Sequence, residues 1–101
     1  MTIMNFEIAP KSSVIKANWY DAKLYCFSLT IGGKTGWRLP TKEEFNHIGK
    51  SDHDFVENNF WSSTEVNTGY AWVQGFGFGN GGQYPGGKNF NNYVRAIRTT
   101  V

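Results

Sequence analysis

Few residue groups in this chain have the types and spacing to do chemistry. Asp52, His53, Asp54 and Glu57 cluster in one short link, and a carboxylate-rich loop can hold calcium through oxygen ligands. Their spacing is not that of an EF-hand loop, so the link is expected to be a solvated polar segment. His47 and His53 lack the flanking ligands that zinc needs and are expected at the surface. Cys26 is the sole cysteine, which excludes an intramolecular disulfide and any paired-cysteine metal or redox motif. Ser62 and Ser63 stand without the strained glycine-flanked elbow that exposes a nucleophilic serine. The glycines between residues 75 and 87 superficially suggest a phosphate loop, but no Lys-Ser/Thr pair follows them. The sequence therefore predicts no catalytic residue, no metal site and no cofactor.

Binding is the stronger reading. Gln83, Tyr84, Lys88, Asn89, Phe90, Asn91 and Tyr93 form a polar-aromatic set carried on glycine-rich turns. Tyrosine and asparagine make adaptable contacts at low entropic cost, and flat aromatic faces also suit sugar rings. Asn80-Gly81 predicts a two-residue hairpin turn, because both central positions of a type I′ turn need positive φ. Seven glycines between residues 75 and 87 are expected to leave no core there. Tyr84, Phe90 and Tyr93 are then held rigidly toward a partner by the loops of residues 79–93.

The elements that position this set follow from local patterns. The 101 residues suit one domain, residues 1–101. Aromatics at 17% with 12 glycines point to strands and tight loops around an aromatic core. A net charge of +2 is too small to mark a nucleic-acid footprint. No apolar run reaches the ~18 residues of a membrane span. The opening MTIMNFEIAP has no basic start, long apolar stretch or small-residue cleavage site, so no signal peptide is expected. A cytoplasmic chain, or one released in a virus particle, fits that reading.

Residues 3–8 alternate, with Met4, Phe6 and Ile8 on one side: a half-buried strand within an N-terminal arm, residues 1–10, tied into a sheet or to a partner. Pro10 ends it. Residues 18–30 read as a helix, with Asn18 as N-cap, Asp21 near the positive end, and Trp19, Ala22, Cys26 and Leu29 as the buried stripe. Gly32 and Gly33 are expected to stop it. Residues 41–48 read as a second helix, because Thr41 and Glu44 form a capping box, with Phe45 and Ile48 facing the core and Gly49 ending it. Strands are expected at 60–65, at 70–78 with Trp72, Gln74, Phe76 and Phe78 on one face, and at 93–99. Residues 82–88 read as a return strand or a loop.

Four segments occur in a recognisable order: Asn18-Trp19-Tyr20-Asp21-Ala22 with Tyr25-Cys26; Gly36-Trp37-Arg38-Leu39-Pro40-Thr41 with Glu44-Phe45; Phe60-Trp61-Ser62-Ser63-Thr64-Glu65; and Tyr93-Val94-Arg95-Ala96-Ile97-Arg98. Over residues 18–98 the chain resembles the C-terminal domain of the Legionella collagen-like adhesin and its bacterial and phage relatives. The first two segments are also similar to formylglycine-generating enzymes. The resemblance implies an α+β, C-type-lectin-like fold, with two helices packed on a small, twisted, mostly antiparallel sheet. It also implies a non-enzymatic binding or assembly module. The cysteine chemistry of the formylglycine-type enzymes has no counterpart after Cys26, and the sugar-site patterns of calcium-dependent lectins are absent. Beside the resemblance, Arg38 is expected to pair with Glu44 or Glu43, Trp61 to be core, and Arg95 and Arg98 to stitch the last strand to nearby loops. The setting that best fits a small chain without export signal or disulfides is a phage virion. Its partner there would be a capsid or tail protein or a host surface glycan, within a larger assembly, with no nucleic acid and no membrane insertion. The alternatives are a bacterial surface adhesin domain and, last, an enzyme relative that has lost its cysteines.

Overall fold

The computed structural model describes residues 5–51, 53–77 and 82–100. In chain order its elements are β1 (Phe6–Ile8), a 3-10 turn (Lys11–Ser13), β2 (Ile15–Ala17), α1 (Trp19–Ser28), β3 (Trp37–Arg38) and α2 (Lys42–Gly49). Then come β4 (Asn59–Glu65), β5 (Tyr70–Gly75), β6 (Gln83–Gly87), β7 (Asn92–Val94) and β8 (Ile97–Thr99). The class is α+β, as expected. The strands divide between two sheets where one was expected: a three-stranded sheet ordered β1-β8-β3 and a five-stranded sheet ordered β2-β7-β4-β5-β6. Strand pairs are antiparallel apart from β4 beside β7.

Both helices start where their caps place them. The Asp21 N–H donates to the Asn18 side chain at 2.9 Å. In α2 the Glu44 N–H donates to Thr41 Oγ1 at 3.1 Å, and the Thr41 N–H donates back to the Glu44 carboxylate at 2.8 Å. That reciprocal pair satisfies two helix-end donors. Helix α1 ends earlier than its sequence suggests. Leu29 is already extended (ψ 137°), although its side chain still packs on the core. Gly32 and Gly33, at φ +58° and +77°, instead form the tight turn across which Ile31 pairs with Lys34. Only glycine adopts two successive positive φ angles without strain.

Strand β4 is buried on both faces because consecutive side chains point opposite ways. Trp61 enters a core with Trp19, Ala22 and Cys26 of α1, Trp37, Leu39 and Val73. Phe60 enters a second, phenylalanine-rich core with Phe45 and Ile48 of α2, Phe55 and Phe76. The buried indole donors are satisfied: Trp19 Nε1 donates to Ser62 O and Trp61 Nε1 to Ala17 O, both at 2.9 Å. Gly86 sits where no side chain fits, since a Cβ there would lie 2.6 Å from Val73 Cγ2 and 3.3 Å from the Trp61 ring. The glycine-rich stretch therefore does take part in closing a core, against expectation.

Three further expectations change. The segment at 93–99 is not one strand. Val94 pairs with Ile15 in the larger sheet and Ile97 with Ile8 in the smaller, so the chain crosses between sheets at Arg95-Ala96. Phe76 follows β5 rather than lying within it. The β5–β6 register sets Val73 opposite Tyr84, whereas a two-residue turn at Asn80-Gly81 would set Gly77 there. Asn80, Gly81 and Phe78 themselves lie outside the described residues, as do Met1 to Met4 of the expected N-terminal arm.

Arg38 meets Glu44 in a two-pronged pair at 2.7 and 2.8 Å and also donates to Thr99 Oγ1 at 2.9 Å. The guanidinium hydrogen bonds, aided by the Thr41 N–H, hold the Glu44 carboxyl below the usual glutamate range. Arg38→Ala is expected to cost about 1–3 kcal/mol, less than a fully buried pair because the Arg38 side chain is 37% exposed. A depressed carboxyl contributes stability that is full above its unfolded pKa of about 4.3 and lost as pH falls through the lower folded value. Glu44→Gln should thus be destabilising in urea at pH 7, with a deficit that shrinks as pH falls below the usual glutamate range; a deficit undiminished by acid would refute the linkage. Gly86→Ala should cost about 1–3 kcal/mol by overpacking, read as a lowered thermal midpoint.

Candidate functional site

The residues read from the sequence as a binding set separate in space. Lys88 is a structural residue. Its side chain is 4% exposed, its Nζ lies 2.6 Å from the Glu65 carboxylate and 3.1 Å from the Thr68 carbonyl, and it sits over the Trp19 ring at 4.3 Å. A cation so enclosed has no donor to offer a ligand. Tyr93 is half-buried, tilted against Phe60 with ring centroids 5.9 Å apart, and closes the edge of the second core. Tyr84 lies across from Val73 at the margin of the first core, 40% exposed, and burial pushes its phenol up from the ordinary tyrosine value. Asn89, Phe90 and Asn91 are exposed. The Phe90 ring covers Gly87, with Tyr70 on the same side.

Gln83 belongs to a different surface, the outer side of α2. Its Nε2 donates to the Lys42 carbonyl at 2.8 Å, and the Lys42 N–H donates to Thr64 Oγ1 at 2.9 Å. These two bonds fasten the first turn of α2 to β4 and β6. Between them opens a hollow of about 500 Å³ lined by Thr41, Lys42, Glu43, Asn46, Thr64 and Gln83. A second hollow of about 550 Å³ continues along the helix. Asn46 lines both, so together they form one groove beside α2. The floor of the second hollow is aromatic, with His53 and Phe76 ring centroids 4.8 Å apart, while Gln74, Lys50 and Glu57 supply polar walls. His53 Nδ1 accepts the Phe55 N–H at 3.2 Å, which fixes the ring over Phe76. Lys42 Nζ rests 3.6 Å from the centre of the Trp72 ring.

The electrostatics of the groove are balanced, with Lys42 and Lys50 against Glu43 and Glu57. The carboxyls held below their ordinary range all lie outside both hollows. Arg98 lowers Glu7, Arg38 lowers Glu44, Arg95 lowers Asp54 and Lys88 lowers Glu65. Asp54 is taken up by Arg95 at 2.8 Å. Asp52 of the suspected cation loop is outside the described residues. Among the described residues no group of three His, Cys, Asp or Glu is placed to hold a metal ion. Burial pushes the Cys26 thiol up to about 12, which keeps it protonated and inert.

The family of the Lcl C-terminal domain matches residues 5–98. The chain belongs to that family. This agrees with the likeness carried by the Trp37-Arg38-Leu39-Pro40-Thr41 and Val94-Arg95-Ala96-Ile97-Arg98 segments, and it points to an adhesin-type binding module. A search of curated proteins finds no match. The stretch that matches the Lcl C-terminal domain includes every residue of the groove and all of the expected binding set.

Sequence reasoning missed Asn46 and Lys42 as groove residues. The signal available was Asn46, which lies on the polar side of a helix whose cap and buried residues were both legible. Its neighbours come from strands far away in sequence. Phe90→Ala should leave the thermal midpoint within about 1 °C of wild type, because the ring is 73% exposed. Lys88→Ala should lower it by about 5 °C or more, near 1 kcal/mol for this size. The reverse order would return Lys88 to the binding set.

Proposed function

We propose that this domain is a non-catalytic recognition module that seats a polyhydroxylated ligand, such as a surface glycan, in the groove along α2. The observation that carries the reading is the side-by-side placement of amides and rings. Asn46 and Gln83 line one hollow, Asn46 also lines the next, and there the His53 and Phe76 rings lie tilted against each other. The exposed Asn46 amide presents a donor and an acceptor on one rigid plane, which matches neighbouring hydroxyls, the Gln83 oxygen adds an acceptor, and ring faces take the apolar side of a sugar. Each hollow, at about 550 and 500 Å³, has the size of ordinary ligand sites.

A second reading has a protein partner, on a virion or on a cell surface, and draws on a different observation. Phe90 and Tyr70 stand exposed together over Gly87, the type of aromatic anchor that carries protein interfaces.

One experiment separates the two. The intact chain is screened on a glycan array and the best hit is measured by calorimetry. Asn46→Ala should weaken binding about 5–10-fold with an unchanged melting temperature, because Asn46 is exposed and its removal opens no core. Phe90→Ala should have no effect on the glycan. Loss with Phe90→Ala alone would favour the protein-type surface, and a chain that binds no glycan would overturn the groove reading.

A further inference from the structure

Helix α1 is apolar on two opposite faces. Trp19, Ala22 and Cys26 turn inward. On the far side Tyr20, Leu24 and Phe27 follow the i, i+4, i+7 spacing of a single stripe, and they are 50%, 67% and 84% exposed. A helix that is hydrophobic all round is ordinarily covered all round. The three side chains leave roughly 400 Å² of apolar surface open, taking about 200 Å² for each aromatic.

From this we infer that α1 is an interface for a second copy of this chain, with the two helices running parallel about a two-fold axis. Charge placement selects both the partner and the direction. At 100° per residue, Lys23 borders the stripe on one flank, while Asp21 and Ser28 border it on the other. Parallel pairing sets the Lys23 flank of each copy against the Asp21 flank of its mate, about 3 Å apart along the axis. Antiparallel pairing sets Lys23 against Lys23 and gains nothing. An isologous contact uses one patch twice, so two stripes contribute roughly 800 Å² of apolar area. The polar flanks bring the total toward the ~1,200 Å² at which specific interfaces begin. An interface at this lower limit of size is expected to be reversible. It leaves the α2 groove open on both copies, so it stands independently of the ligand reading.

The test is sedimentation equilibrium of the full chain from about 5 to 500 µM. The expected mass rises from 11.4 kDa toward twice that value. Phe27→Glu and Leu24→Glu should hold the chain at monomer mass, with unchanged circular dichroism and melting temperature, since both positions are exposed. Lys23→Asp should weaken self-association about 10-fold, and so should Asp21→Lys. Mixing the two variants should restore it, because each then meets an opposite charge. A wild-type chain that stays monomeric throughout, a dimer that survives Phe27→Glu, or a mixture no stronger than its parts would overturn the proposal.

Discussion

The carboxylate of Glu44 is the point on which the arrangement of the domain turns. It accepts both guanidinium prongs of Arg38 from β3 and the backbone N–H of Thr41 at the start of α2, while Arg38 reaches on to Thr99 of β8. One side chain thereby fixes where α2 begins and ties it to two strands of the smaller sheet. The larger sheet holds the same turn of helix through Thr64 and Gln83. The groove exists because the start of α2 is pinned from both sides. Its walls come from the helix, the link that follows it and the larger sheet.

The crossing between sheets raises a different problem, since it carries Arg95 into the interior. The side chain is 4% exposed, yet its donors are met by the Ala9 and Asp54 carbonyls, and the guanidinium lies 4.7 Å from the centre of the Phe55 ring. Lys88 repeats the pattern, with Glu65 as carboxylate and Trp19 as ring. In both pairs the cation is inside and the carboxylate is more than half exposed. Only one partner of each pair loses its water, which limits the desolvation penalty that makes wholly buried pairs unfavourable. Aromatic faces help to offset the remainder. The many rings of this chain thus serve as counter-surfaces for charge as well as filling two cores.

Belonging to the Lcl C-terminal domain family fits this division of labour. The segments that carry the likeness hold the scaffold: Trp37 and Leu39 are core, Arg38 and Arg95 tie elements together, and Trp61 fills the first core. The α2 groove and the exposed stripe of α1 fall largely on residues outside those segments.

The sequence by itself determined the local events. Asn18 and the Thr41–Glu44 box announced both helix starts, because capping needs only residues three apart. Helical spacing marked Trp19, Ala22 and Cys26 as core, and the Arg38 pair was legible because Glu44 sits on the first turn of the helix that follows. Tertiary structure decided whatever depended on distant neighbours. Lys88 looked like an exposed contact until Glu65 and Trp19 closed over it, and residues 93–99 looked like one strand until β1 and β2 pulled its halves into separate sheets. Gly86 was left between a return strand and a loop, because nothing local reveals that Trp61 needs its space. The groove was hidden for the same reason: Asn46, Gln74 and Gln83 become neighbours only when long-range pairing lays α2 across β5 and β6, and no periodicity along the chain encodes that approach.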